Sequence, residues 1–195
     1  MNKLSMNKKV INIINEYQDL DYTLKENEMI VINCFFDNMQ DLNIKINQSS
    51  NSCFVLNLSC IVNHNCNVNI NGLITGNNNR NVLNIRCLSK ENLGNFKVNV
   101  KVDDNTKGNE VIEDLKGINE NGAINFLPVL EIDTNEVDAQ HFATIGNFDK
   151  NELFYLQTKG LSLESAYELL KKSFMFSLFN EEFILNIKKG ESNHE

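Results

Sequence analysis

The sequence predicts a mainly β body followed by a small helical region. Two observations set this. Short apolar–polar alternations of period two run from about residue 22 to 132, with Asn, Asp, Gly or Ser between them and no helical pattern interposed. Past residue 148 the apolar spacing becomes helical. Many short strands without intervening helices mean a sandwich, a barrel or a solenoid.

Taken in order, residues 8–20 place Val10, Ile11, Ile14 and Tyr17 at helical spacing, so an N-terminal helical segment is expected over 1–21. Strand candidates follow at 29–34, 42–46, 53–58, 68–70, 82–87, 96–102, 123–126 and 129–132. Two-residue hairpin signals are scarce: Asn71-Gly72 and Asn121-Gly122 exist, but most links are longer and lack Gly. The chain carries 35 asparagines, interleaved with β-branched residues as in Val68-Asn69-Ile70-Asn71. Asn at turns suits stacked coils, where it forms ladders and takes left-handed corners. Periodicity alone leaves solenoid and sandwich open.

In the C-terminal part, Asp149 with Glu152 three residues on reads as a helix start. Gly160 stops that helix, and Ser162 caps a second one whose apolar stripe is Leu163, Ala166, Tyr167, Leu170, Phe174 and Leu178. Asn180-Glu181-Glu182 opens a third. The expected organisation is therefore a β core over 22–148, a helical region over 149–190 and a tail over 191–195.

Composition narrows the function. The chain has 195 residues, enough for a real core without disulfide or metal staples. A net charge of −8 gives no electrostatic case for nucleic acid or for an anionic membrane surface. No apolar run approaches the ~20 residues of a membrane span. Residues 1–20 have no signal-like apolar core, and five cysteines is an odd number, so a reduced, cytoplasmic setting is expected. No P-loop is present to hydrolyse ATP, and no Gly-x-Ser-x-Gly elbow. Nothing pairs carboxylates for glycoside chemistry, which leaves a carbohydrate-active solenoid as a distant outsider.

Residues 127–174 carry more specific motifs. They are Pro128 with Leu130-Glu131-Ile132, then Val137, His141-Phe142-Ala143-Thr144-Ile145-Gly146, then Leu153-Phe154-Tyr155-Leu156, Gly160-Leu161 and Ala166. In order and spacing this segment resembles the C-terminal core of the SufB/SufD family, the scaffold subunits of the SUF iron–sulfur cluster assembly machine. The resemblance implies a right-handed parallel β-helix (solenoid) with a small C-terminal helical region, and a non-catalytic scaffolding role. It implies pairing with a SufB-like subunit or with itself, and docking of a SufC-type ATPase on the helical region. No tightly bound cofactor is implied, only a transient iron–sulfur cluster or iron at a subunit interface.

Departures from the family pattern point to a SufD-like member. Residues 119–127 lack the cysteine of SufB-type members, His141-Phe142 stands where those have His-Glu, and Ala139 stands where SufD-type members often have Cys. Lys159 replaces the usual Arg before the glycine. On the same resemblance, the N-terminal region and several coils of typical members are expected to be missing or reduced.

His141 matches the family's interface histidine, and imidazole is a sound iron ligand. A hydrogen-bonded histidine at the solenoid's end is the bland alternative. Tyr155, Leu156, Gly160, Leu163, Ala166, Leu170 and Phe174 are the expected partner-binding positions. The same apolar stripe also reads as packing over the end of the solenoid, covering an open strand edge. Cys60-x-x-x-His64-x-Cys66 offers soft donors but matches no zinc or cluster spacing. Cys53, Cys60 and Cys87 lie in apolar strands, where free Cys is commonly a small core residue. A degenerate β-helix interaction module without cluster chemistry is the runner-up function.

Overall fold

A computed structural model describes residues 6–191. Its body is a parallel β-solenoid built of β1 (Asn7–Ile14), β2 (Leu20–Leu24), β3 (Glu28–Phe36), β4 (Leu42–Gln48), β5 (Cys53–Val62) and β6 (Cys66–Ile74). It continues through β7 (Arg80–Ser89), β8 (Leu93–Val102), β9 (Asn109–Asn119), β10 (Ala123–Ile132) and β11 (Val137–Gly146). The odd strands form one sheet in the order β1-β3-β5-β7-β9-β11, and the even strands a second in the order β10-β8-β6-β4-β2. Every pairing is parallel. Each coil contributes one strand to each sheet, and alternate side chains point into the space between them.

That interior explains the period of two. Ile32, Leu56, Leu58, Ile44, Ile70, Val98 and Val100 are fully buried on the inner faces, stacked rung on rung with like residues. Asparagine holds the outside and the corners. Asn12, Asn33, Asn57 and Asn84 form a ladder in which each amide donates to the preceding side-chain oxygen at 2.9 Å. Asn15, Asn27, Asn51, Asn78, Asn92 and Asn105 take positive φ, the left-handed conformation that Asn tolerates better than other non-glycine residues. The abundance of Asn is thus a property of the coils. Asn71-Gly72 lies inside β6 and makes no hairpin; a Cβ at Gly72 would press on Val100 at 3.3 Å.

The N-terminal segment corrects the expectation of a helix over 1–21. Residues 7–14 are strand β1, and the expected boundary at 21 falls inside β2; residues 1–5 lie outside the described residues. The run Val10, Ile11, Ile13, Ile14 satisfies both periods, and its β-branched side chains favour the strand. Packing decides: Ile11 and Ile13 stack in register on Ile32 and Cys34. The candidates at 123–126 and 129–132 prove to be one strand running through Pro128. A missing N–H is tolerated there because β10 is the outer strand of its sheet.

Three helices follow: α1 (Lys150–Thr158), α2 (Leu163–Phe176) and α3 (Glu181–Glu191). The Asp149 carboxylate accepts from the Asn151 N–H, and the Ser162 hydroxyl accepts from the Ser165 N–H. Gly160 takes φ +95° just past α1. Met175, Phe183 and Ile187 pack on Phe35, Leu88 and Ile118, which point outward from the six-stranded sheet. Lys171 bridges Glu120 at 3.1 Å and fastens α2 to the β9–β10 turn. The helices therefore cover the flank of the solenoid, and the expectation that they close its end is corrected. No helix among the described residues is long and apolar enough to cross a membrane.

Candidate functional site

The last coil is built like the others but is not covered like them. β10 and β11 are the outer strands of their sheets on the C-terminal side. Their inner-facing residues follow from register with buried partners: Phe126, Pro128, Leu130 and Ile132 stack on Phe96, Val98, Val100 and Val102. Ala139, His141, Ala143 and Ile145 stack on Val111, Glu113, Leu115 and Gly117. The underlying rung is buried, yet Ile132 and Ile145 are 38% and 44% exposed. Gly117 is required here, since a Cβ would stand 2.9 Å from Ile124 and 3.1 Å from Phe126. The result is an apolar platform bounded by two unpaired strand edges, a surface that invites another strand-rich end.

His141 stands in the middle of this platform, exposed, on β11. Directly beneath it in register is Glu113 of β9, which is fully buried. Among the described residues neither Glu113 carboxylate oxygen has a hydrogen-bond partner. Its other in-register neighbour is Leu83, and Val111 and Leu115 flank it on the inner face. Burial pushes its carboxyl up to about 8. An orphaned buried acid costs about 1–3 kcal/mol and calls for a functional account. Sequence reading missed Glu113; the signal available was a lone acid at an inward position of an otherwise apolar alternation.

The helical hairpin presents a second surface. α1 buries none of its residues, and Phe154 and Tyr155 are 68% and 59% exposed. Tyr155, Leu156 and Leu170 line a shallow groove of about 370 Å³ with Asn151 and Glu152. Of the expected partner-binding positions, Tyr155, Leu163 and Gly160 are exposed and Leu156 and Leu170 half-buried. Two lie inside: Ala166 is fully buried, and Phe174 is half-buried with its ring edge-on to Phe148. These two support the hairpin from below. Phe154, the most exposed aromatic, was absent from the expected set.

Comparison with known proteins falls on this same region. Residues 94–174 match the family model described as SUF system FeS cluster assembly, SufBD core domain. That span runs from β8 through most of α2 and so contains both the open end and the hairpin. Over this span the chain is similar to the SufB/SufD family. The chain is 37% identical over 62 residues to the iron–sulfur cluster assembly protein SufD of Bacillus subtilis, covering 32% of this chain and 14% of that protein. It is 40% identical over 58 residues to a SufBD family protein of Pyrococcus horikoshii, covering 28% of this chain and 13% of that one. A Mycobacterium leprae SufBD family protein is 39% identical over 56 residues, covering 28% of this chain and 14% of the relative. The matched stretch thus spans about a seventh of the relatives' length.

No cysteine follows Cys87, so the matched span 94–174 contains none. All five thiols are buried. Cys60 and Cys87 stack in register inside the coil, and burial raises Cys34, Cys66 and Cys87 well above an ordinary thiol, which suits core packing. The Cys60–His64–Cys66 set does not converge: both thiols are buried, whereas His64 lies exposed in the turn between β5 and β6. Among the described residues no group of three or more His, Cys, Asp and Glu side chains is gathered as a metal cage.

Proposed function

We propose that this chain is a non-catalytic assembly subunit of the SUF iron–sulfur cluster machinery. Its open solenoid end pairs with the end of a SufB-like subunit, or with a second copy of itself. Its helical hairpin docks a SufC-type ATPase. The observation that carries the reading is the apolar, strand-edged platform with His141 at its centre, inside the segment that matches the family core. Burying that platform against a like surface would pair two strand edges and remove apolar area from water at about 25 cal/mol per Å². The exposed Phe154 and Tyr155 support the second contact. Iron or a nascent cluster is cargo at the paired end, with His141 as a ligand from this chain.

The test is anaerobic purification of the tagged full chain co-expressed with the SufC-type and SufB-like proteins of its own source. The expected result is a complex held together in sedimentation, weakened by a charge at Ile132 for the solenoid partner and by Phe154→Ala for the ATPase. Recovery of the chain alone, free of iron, would overturn the reading. The runner-up, an interaction module without cluster chemistry, is favoured by the absence of any thiol at the open end. Under it His141→Ala leaves cluster assembly unchanged; under the first reading it impairs assembly without dissolving the complex.

A further inference from the structure

We propose that Glu113 and His141 form a two-donor half-site for a divalent transition-metal cation, completed by groups from the solenoid end that covers the platform. The inference rests on the pairing reading above and adds a residue that reading did not contain.

Three features of the interior carry it. Glu113 is the one acid whose side chain is fully buried among the described residues, and both its oxygens are free of partners. Its position is not where packing alone would place a carboxylate, since Leu83 precedes it on the stack and Val111 and Leu115 flank it. The group that follows it on the stack is His141, and the residues beside His141 on the inner face are the small Ala139 and Ala143.

The two side chains are not hydrogen-bonded to each other, which leaves the carboxylate available to a shared cation. Rungs of a sheet lie about 4.8 Å apart. A direct hydrogen bond needs donor and acceptor at about 2.7–3.2 Å, and none is formed here. A zinc-class divalent ion takes imidazole nitrogen and carboxylate oxygen at about 2.0–2.2 Å each. In a tetrahedral or octahedral shell the two donor atoms then lie about 3–3.4 Å apart, so side chains rooted on adjacent rungs converge on the ion. Nitrogen and oxygen donors without thiolate suit first-row divalent ions, ferrous iron included. Two donors from one chain make an incomplete set, which ties the site to the assembled state.

Cobalt(II) is the probe, read by its visible absorption and by calorimetry under anaerobic conditions on the full chain, alone and with its co-purified partners. Sedimentation runs in parallel on the same samples. The expected result is binding in the assembled state that Glu113→Gln and His141→Ala each weaken roughly tenfold or more, with no further loss in the double variant. Glu110→Gln, on the same strand but paired outward with Arg80, should leave binding unchanged. Glu113→Leu serves as a second variant, because an apolar side chain fits that rung without a buried polar group to satisfy. Wild-type binding that survives both Glu113 variants overturns the proposal. So does assembly without any cobalt binding, which leaves the pairing intact. Glu113-dependent binding by a chain that never assembles sustains the donor pair and overturns the pairing instead.

Discussion

The two ends of the solenoid differ in a way that composition does not show. At the N-terminal end the outermost described coil is closed by its own side chains. Ile13, Leu20 and Leu24 on β1 and β2 are buried, the last completely. Tyr17 stacks on Phe36 with ring centroids 4.8 Å apart, and its hydroxyl donates to the Asn38 carbonyl. The Lys9 ammonium lies 6.0 Å from the Tyr22 ring centroid, and Lys8 sits beside it on the edge strand. Lysine on an edge discourages strand addition. At the C-terminal end the corresponding inner positions are Leu130, Ile132 and His141, with no aromatic folded over them and no lysine among them. Among the described residues, the first coil is covered on its inner face and the last is not. The exposure at the C-terminal end is therefore a feature of that end and not a general cost of stopping a solenoid.

The largest effect that tests this contrast is on stability. Leu24→Ala at the closed end should cost about 2–5 kcal/mol, as expected for a leucine removed from a packed core, whereas Leu130→Ala at the open end should cost well under half of that. Chemical denaturation of the two variants side by side checks the difference. Equal losses would mean that the open end is packed as tightly as the closed one.

The next effect comes from Glu113, one rung below the open platform. Its folded value of about 8 stands above the ordinary 4.5. Between those two values the folded state holds a proton that the unfolded state has released, so stability falls as pH rises through the window. Each tenfold difference in proton affinity between the two states is worth about 1.4 kcal/mol, so the total is on the order of a few kcal/mol. Thermal melts at pH 5 and pH 8 should show the wild type losing stability at the higher pH. Glu113→Gln should flatten that slope and exceed the wild type at pH 8. A parallel pair of slopes would show that the carboxyl is in contact with water in the folded chain.

How much of this was legible in the sequence follows the same division. The middle coils announced themselves, because Ile, Val and Leu, joined by Phe and Cys, fill most inward positions of β3 through β8 and alternate with polar residues, Asn above all. Four strands escaped the pattern: β1, expected as a helix, and β2, β9 and β11. β9 carries Glu113 and Gly117 at inward positions, and β11 carries Ala139, His141 and Ala143, so the apolar alternation fails where the candidate site lies. Local rules tend to break at functional positions. The repeat itself was hidden because coil length drifts: equivalent ladder residues lie 21, 24, 27 and 30 residues apart. No fixed period exists to find. The caps of the helices were legible because Asp149, Ser162 and Asn180 act through local hydrogen bonds. The seat of the hairpin on the flank was not, because its anchor Met175 lies off the apolar stripe and meets Ser59 more than a hundred residues away.

A smaller effect should come from the asparagine ladder. Asn57 donates to Asn33 and accepts from Asn84, so Asn57→Ala removes two hydrogen bonds at a half-buried position. The expected loss is about 1–2 kcal/mol. Asn125, at the open end of the second ladder with Asn95, makes a single long bond at 3.4 Å, and Asn125→Ala should be close to neutral. Denaturation midpoints of the two variants compare them directly.

The smallest expected effect on folding separates the two ends most sharply. Ile132→Lys puts a charge where the closed end already carries lysine. Ile132 is the outermost inner residue of β10, partly in water, and its replacement leaves no cavity in a packed core. Exposed positions of this kind move stability by about 0.5 kcal/mol or less. Assembly should respond quite differently. An ammonium buried against an apolar partner surface has no counter-charge to meet it, and the desolvation it suffers is several kcal/mol. The variant should therefore melt with the wild type and sediment as an unpaired chain. A variant that pairs as the wild type does would show that the platform is not the contact surface. A variant that unfolds would show that the last coil is held by more than its register with β8 and β9, and that the C-terminal end is in fact part of the core.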